Sequence, residues 1–363
     1  MIKLLVVDDS PLMRRLLLEL FDAEGDFEVR VARDGVEALA ILEAERPDVI
    51  TLDVQMPHMD GLACLDRIMV QRPTPVVMAS SLTTEGAAEA LRAIELGAVD
   101  VIAKPAGAIS LRMAAFGPAL VEKVRAAAQA RLSRTRRLRE RLQSNAPAAA
   151  RRAPLTAANA RRPSPITSGA AGRTGLVLVG ASTGGPPALD ALLAPLPAHF
   201  PWPILIAQHM PEAFTGALAR RLDTLTELTV REVREPSPLQ AGHVYVARGD
   251  ADMIVTRRGG SLTALAAPAG DHRWHPSVDR LVESALEQVP AEQLVGVLLT
   301  GMGNDGAASM SRLRRQGGRT LAQSEATATI WGMPGELVHA GGASHVLDLD
   351  ALASALFDMV TPS

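Results

Sequence analysis

The chain has few of the residues on which several common functional classes depend. Cys64 is the only cysteine among 363 residues, which excludes an internal disulfide and a cysteine metal cluster and predicts a small packing residue on a helix. No apolar stretch approaches the length of a membrane span, and residues 1–3 lead directly into an apolar run. We therefore expect no signal peptide, no membrane insertion and a cytoplasmic location.

Aromatic residues are also scarce, at 3% of a chain that is 47% hydrophobic, so the cores should be mainly aliphatic and large enough for two domains.

Positive charge is concentrated in the segment between the two predicted domains. Residues 125–173 hold twelve arginines and one acid, a charge of +11, so the rest of the chain carries −14 to reach the net −3. The first part, to about residue 143, is predicted to extend a preceding helix. Residues 144–172, rich in Ala, Pro and Ser, are predicted to be a flexible linker. Arginines can bind nucleic acid, but this segment lacks aromatics for base stacking, and we expect no nucleic-acid partner.

The first third of the chain alternates apolar strands with amphipathic helices, and reactive side chains follow the strands. These side chains are Asp8, Asp9, Asp53, Ser80 and Lys104. Three carboxylates at one sheet edge repel one another unless a hard cation lies among them, which predicts a Mg²⁺ site of the three aspartates. Asp53 can accept a phosphoryl group, with Lys104 balancing charge and Ser80 bonding the new oxygens. A simple Mg²⁺ site or a set of helix caps is the alternative, but neither predicts Ser80 and Lys104.

A second chemistry is predicted in the last part of the chain. Gly180-Ala181-Ser182-Thr183-Gly184-Gly185 follows the apolar run Leu176–Val179, which indicates a tight strand-to-helix turn. Such a turn exposes the hydroxyl of Ser182 as a nucleophile, and N–H groups near Thr183 can receive negative charge. Glycine-rich turns of this kind also bind phosphates or simply pack closely, so the turn alone leaves these alternatives open.

Two later strands are predicted to end beside this turn. Residues 204–207 run into His209, with Pro211 in the first turn of the next helix, and residues 294–299 run into a glycine-rich loop that carries Met302 and Asp305. Loops at the carboxyl ends of parallel strands meet in one crevice, where Ser182, His209 and Asp305 can act as nucleophile, base and orienting carboxylate. Each of the three also has a structural alternative, as a helix cap, a strand-end histidine or a loop residue. His275 is a candidate for lining the crevice.

The motifs of both parts are similar to those of known families. Residues 1–125 resemble a response-regulator receiver domain through Asp8-Asp9, Asp53, residues 56–61, Ser80 and Lys104-Pro105. Residues 174–363 resemble the catalytic domain of the chemotaxis methylesterase CheB family through the turn at Ser182, Gln208-His209-Met210, residues 276–279 and the loop of residues 300–306. Residues 126–173 would join them. The resemblance implies two doubly wound α/β domains, a five-stranded parallel flavodoxin-like receiver and a larger, mostly parallel hydrolytic domain.

The resemblance further implies hydrolysis of glutamate γ-methyl esters on chemoreceptors, deamidation of certain glutamines, Ser182, His209 and Asp305 as the catalytic triad, and phosphorylation of Asp53 by a chemotaxis histidine kinase. It implies Mg²⁺ in the receiver and no cofactor for the esterase. Thr183, Met302 and His275 are candidates for the oxyanion site and substrate lining. A receptor-binding scaffold and a gated hydrolase of another ester or amide are the alternatives. Val101 stands where many receivers have Tyr or Phe, so we expect signal transfer through Ser80 and the surface between the domains.

Overall fold

The protein consists of two α/β domains in a computed structural model that describes residues 1–81, 83–104, 109–132 and 175–361. Nearly all of the predicted linker therefore lies outside the described residues. No helix among the residues described is long and apolar enough to cross a membrane.

The first domain is a five-stranded parallel sheet with strand order β2-β1-β3-β4-β5, as predicted. Side-chain caps start its helices: Ser10, Asp34 and Asp60 each accept a hydrogen bond from a backbone N–H of the first helical turn. The elements are β1 (Ile2–Val7), α1 (Pro11–Glu24), β2 (Phe27–Ala32), α2 (Gly35–Glu45), β3 (Val49–Asp53), α3 (Gly61–Gln71), β4 (Val76–Ser80), α4 (Thr84–Leu96), β5 (Asp100–Ala103) and α5 (Ile109–Ala128).

The second domain is a seven-stranded parallel sheet with order β15-β14-β13-β6-β7-β10-β8, and a three-stranded antiparallel sheet, β11-β12-β9, lies beside it. Its elements are β6 (Leu176–Ala181), α6 (Gly185–Leu193), β7 (Ile204–Gln208), α7 (Glu212–Leu225), β8 (Thr229–Val233), β9 (Ser237–Pro238), β10 (His243–Ala247), β11 (Ala251–Arg258), β12 (Ser261–Pro268), α8 (Val278–Gln288), a 3₁₀ turn (Ala291–Gln293), β13 (Leu294–Leu298), α9 (Ala307–Arg315), β14 (Arg319–Gln323), α10 (Met333–His339), β15 (His345–Leu347) and α11 (Leu349–Val360).

The two domains share one apolar interface. Helix α4 of the first domain packs on α7 of the second, and a single buried cluster includes Leu91 and Ile94 from one side and Phe214 and Leu218 from the other. An ion pair at the rim joins Glu95 to Arg221 at 2.8 Å. Because burial of aliphatic side chains is the main favourable term in association, this interface fixes how the first domain lies on the second.

Three local predictions differ from the structure. Helix α5 ends at Ala128 and residues 129–132 leave it, so the predicted continuous helix to about residue 143 is wrong at its start, and residues 133–143 lie outside the described residues. Pro211 precedes helix α7 instead of lying in its first turn, and β13 ends one residue before Leu299. The extended backbone of Pro211 (ψ 150°) places it before the first helical residue.

Cys64 is buried beside the Gly35 carbonyl, and burial raises the pKa of its thiol to about 12, as suits a packing residue.

Candidate active site and phosphoacceptor site

The register of neighbouring strands brings Ser182 and His209 to adjacent strand ends. Ala181 of β6 pairs with Gln208 of β7, and Ser182 and His209 are the next residues on the two strands. The N–H of His209 donates to the carbonyl of Ala181 at 3.0 Å, which ties the two ends together. Ser182 Oγ and His209 Nδ1 are both buried and have no hydrogen-bond partner within the described part of the chain. A buried hydroxyl and a buried imidazole nitrogen are thus left available for reaction.

The loop after β13 closes against the Ser182 turn. The N–H of Ser182 donates to the Thr300 carbonyl at 3.0 Å, and Thr300 Oγ1 donates to the Thr183 carbonyl at 2.9 Å. A Cβ on Gly301 would lie 2.7 Å from Cβ of Ser182, so only glycine permits this approach. Met302, a predicted oxyanion residue, follows in the same loop and is half-buried.

Asp305 reaches His209 from that loop. Its Oδ2 lies 2.8 Å from His209 Nε2 and also accepts a hydrogen bond from the N–H of Val278 at 2.7 Å. Its Oδ1 accepts from the N–H of Asp279 and from the hydroxyl of Ser277, which caps helix α8. Burial would raise the pKa of Asp305, but the hydrogen bond from His209 and those from the start of α8 hold it below its usual range. Asp305 is therefore an ionised carboxylate that orients one nitrogen of His209.

A second buried carboxylate supports the start of α8. Asp252 on β11 accepts hydrogen bonds from His275 Nδ1 at 2.9 Å, the Ser277 N–H at 2.7 Å, Arg280 Nη1 at 2.7 Å and the Gly270 N–H at 3.1 Å. Burial alone would raise its pKa, yet these donors lower it to about 2. His275, predicted to line the crevice, is thus held by Asp252 through Nδ1.

The first domain contacts the turn at Ser182. Asp100, at the start of β5, accepts a hydrogen bond from Thr183 Oγ1 at 2.5 Å and forms an ion pair with Lys123 at 2.7 Å. The N–H of Gly184 donates to the carbonyl of Val99 at 3.3 Å. Ser182 is 2% exposed in this arrangement of the two domains. The Ser182 hydroxyl is therefore buried beneath contacts that include two from the first domain.

The acidic pocket of the first domain forms where the sequence predicts it. One carboxylate oxygen each from Asp8, Asp9 and Asp53 lies within 4.8 Å of the others, a spacing that fits the oxygen ligands of Mg²⁺. Lys104 Nζ lies 2.7 Å from both Asp8 and Asp53. Burial raises the pKa of Asp53 against the opposing attraction of Lys104, so added positive charge in the pocket would favour its ionised form.

Ser80 and Val101 lie between the acidic pocket and the interface of the two domains. The hydroxyl of Ser80 donates to the Gly86 carbonyl of α4 at 2.8 Å, and α4 is the helix that packs on the second domain. Val101 is fully buried in the apolar cluster that spans both domains. The hydroxyl is thus bonded to the interface helix.

Several residues at the site were not singled out from the sequence. Trp274 lies beside His209, Asp252 holds the start of α8, and Asp100 binds Thr183 from the other domain. None follows a strand end or a glycine-rich turn that would have marked it. For Asp100 alone the sequence holds a signal, since it is a carboxylate four residues before Lys104, although the predicted strand began only at Val101.

Comparisons with known proteins match both domains. Residues 4–115 match the response regulator receiver domain model and residues 177–356 the CheB methylesterase model. The chain is 54% identical to protein-glutamate methylesterase/protein-glutamine glutaminase 2 of Rhodopseudomonas palustris, over 99% of this chain and 98% of that protein. It is 52% identical to the corresponding protein 3 of Rhodospirillum rubrum, over 98% of this chain and 95% of that one. The crystal structure of the Thermotoga maritima CheB methylesterase catalytic domain, 34% identical, covers 51% of this chain and 98% of its own with a TM-score of 0.50.

Proposed function

Because the chain belongs to the CheB family of methylesterases with a receiver domain, we propose that Ser182, His209 and Asp305 carry out its hydrolysis of glutamate γ-methyl esters on chemoreceptors. The enzyme is a chemotaxis protein-glutamate methylesterase/glutaminase. One observation supports this assignment above the others. Buried Asp305 bonds His209 Nε2, while Nδ1 of the same ring and Ser182 Oγ are both buried without a partner.

The orientation of His209 decides which nitrogen acts as the base. Nε2 is bonded to Asp305, so Nδ1 is left to take the proton of Ser182. Ser182 Oγ then attacks the γ-carbonyl carbon of the substrate, and the carbonyl oxygen becomes an oxyanion. Asp305 stabilises the imidazolium that forms and keeps the neutral ring in the tautomer that leaves Nδ1 unprotonated.

The remaining steps return the serine to its starting state. We assign the oxyanion to N–H groups near Thr183 or in the loop at Met302. The protonated ring gives its proton to methoxide, so methanol leaves and an acyl-serine remains. Water, deprotonated by Nδ1, attacks the acyl carbon. The bond from that carbon to Ser182 Oγ then breaks, the ring returns the proton to Oγ, and the glutamate carboxylate is released. A glutamine amide passes through the same acyl-serine and releases ammonia.

Control of this reaction is proposed to begin at Asp53, as the carboxylate that accepts a phosphoryl group from a chemotaxis histidine kinase. Asp8, Asp9 and Asp53 would hold the Mg²⁺, which when bound supplies positive charge at the phosphoryl oxygens. Lys104 adds a second positive charge from 2.7 Å. Ser80, when it turns to the phosphoryl oxygens, gives up the Gly86 carbonyl of α4 and so changes the surface that contacts the catalytic domain. We also place the enzyme in the cytoplasm, with the kinase and the cytoplasmic helices of the receptors.

The proposal is tested by incubating the full chain with receptor carrying radiolabelled methyl groups and measuring released methanol. Ser182→Ala should abolish release while Asp53 still takes label from a phosphodonor, because the variant lacks only the attacking oxygen. Asp305→Asn should reduce the rate severely but less completely, since the attacking atom remains. Turnover retained by Ser182→Ala would remove Ser182 as the nucleophile, and wild-type rates in Asp305→Asn would show that Asp305 is structural. A receptor-binding scaffold would release no methanol even as the wild type.

A further inference from the structure

Trp274 contacts both parts of the proposed base system and has no role in the steps above. Its indole ring is parallel to the imidazole of His209 within 6°, with ring centroids 6.1 Å apart, an offset stack. The same ring lies against the loop that carries Asp305, because a Cβ on Gly303 would come within 2.6 Å of Trp274 Cζ2. One side chain thus lies beside both the base and the loop that carries Asp305.

The backbone on the carboxyl side of Trp274 is held firmly. The next residue, His275, is bonded to buried Asp252, and Ser277 two residues later is bonded to Asp252 and to Asp305. Because Asp252 has no exposed side-chain surface, this anchor belongs to the interior of the catalytic domain. The backbone that carries the indole is therefore held through Ser277, which also donates a hydrogen bond to Asp305.

The residue on its amino side connects Trp274 to the receiver. The guanidinium of Arg273 lies 4.9 Å from the centroid of the indole ring, a cation–π contact, and its Nη2 lies 3.0 Å from Glu122 on α5. The Arg273 side chain is 67% exposed, so the ion pair contributes little energy. Its consequence is geometric, since a receiver side chain is linked to the base by three successive contacts, Glu122 to Arg273, Arg273 to the indole and the indole to His209.

We propose that Trp274 is a positioning residue for His209, which keeps the imidazole plane aligned between Ser182 and Asp305, and that Glu122 of the receiver holds Trp274 through Arg273. This inference rests on the proposed function, because it takes His209 as the base. Loss of the ring would leave His209 free to tilt away from Asp305 and would slow proton transfer without removing a reacting atom.

The first test compares Trp274→Ala and Trp274→Phe in the full chain, with the rate at which a fluorophosphonate labels Ser182 as the readout that needs no receptor docking. Trp274→Ala should lower kcat and the labelling rate by about tenfold or more, with KM nearly unchanged, and Trp274→Phe should recover most of both because it keeps an aromatic face. Unchanged labelling in Trp274→Ala, or a defect confined to KM, would overturn the proposal. Failure of the proposed function looks different, because then the wild type itself is not labelled at Ser182.

The second test uses two receiver glutamates that pair with catalytic-domain arginines. Glu122→Gln removes the partner of Arg273, and Glu95→Gln removes a partner of Arg221, whose other ion pair is with Asp190 on α6 of its own domain. Glu122→Gln should shift the tryptophan emission of the resting protein, and the shift should vanish in Glu122→Gln/Trp274→Phe. Glu95→Gln should cause no shift. Equal spectra for the two single variants would refute the link from receiver to Trp274, whereas a shift limited to Glu122→Gln supports it.

Discussion

Replacing Asp252 by asparagine changes one atom of a carboxylate that four donors hold in the interior. Burial would raise the pKa of Asp252, but the hydrogen bonds from His275, Ser277, Arg280 and Gly270 lower it from 3.8 to about 2. At ~1.4 kcal/mol per pH unit, that difference corresponds to about 2 to 3 kcal/mol of folding stability near neutral pH. Asp252→Asn removes the charge that the donors stabilise, so it should lose about this amount.

The pH dependence of the loss follows from the direction of the shift. A carboxyl with a lowered pKa in the folded state stabilises the protein above its unfolded value, near pH 4. As the pH falls from there towards about 2, the unfolded chain takes up the proton first and the stabilisation disappears. Asparagine cannot titrate. The difference between wild type and Asp252→Asn should therefore be largest near neutral pH and should shrink below pH ~4.

Urea unfolding followed by tryptophan fluorescence measures this difference in the right domain. The three tryptophans, Trp202, Trp274 and Trp331, all lie in the catalytic domain, so the signal reports its unfolding. The variant should lose about 2 to 3 kcal/mol of unfolding free energy at pH 7 and clearly less at pH 3. An equal loss at both pH values would refute the charge argument and leave only altered packing, and no loss at pH 7 would refute the role of the four hydrogen bonds.

The sequence was sufficient to predict the fold and the general place of both sites. Apolar runs that end in Asp8, Asp53, Ser182 and His209 are strands, and parallel strands bring their carboxyl ends to one edge. Because the strand register then fixes which ends are neighbours, Ser182 and His209 follow from the pairing of β6 with β7. The predicted boundaries of elements differ from the observed ones by a residue or two, because a strand end depends on the hydrogen bonds of the next segment.

The supports of the site could not be predicted, because they depend on contacts between distant parts of the chain. Asp252 meets Ser277 across 25 residues and Asp100 meets Thr183 across 83, with no periodicity in either segment to mark them. Trp274 is adjacent to a histidine that was singled out, yet its place on His209 follows only from the folded loop. An ionised Asp305 at the start of α8 is likewise a result of tertiary packing, since loop and helix are separated in the sequence.

Three further outcomes concern control of the esterase by the receiver. Asp53→Asn should take no label from a phosphodonor and keep only the basal rate of methanol release; label at the wild-type level would point to another acceptor. Ser80→Ala should still be labelled at Asp53 but respond weakly in esterase rate, since no hydroxyl is left to release the Gly86 carbonyl of α4; a full response would remove Ser80 from signal transfer. Asp100→Asn should raise the basal rate without phosphodonor. Asp100 bonds Thr183, the residue next to Ser182, while Lys123 holds the carboxylate in place, so the amide weakens both contacts at once. A net hydrogen bond of about 1 kcal/mol between the domains corresponds to about fivefold in the population with Ser182 accessible. If the basal rate fell instead while labelling of Asp53 stayed normal, the contact would be aiding catalysis, and simple cover of Ser182 by the receiver would be the wrong account of the resting enzyme.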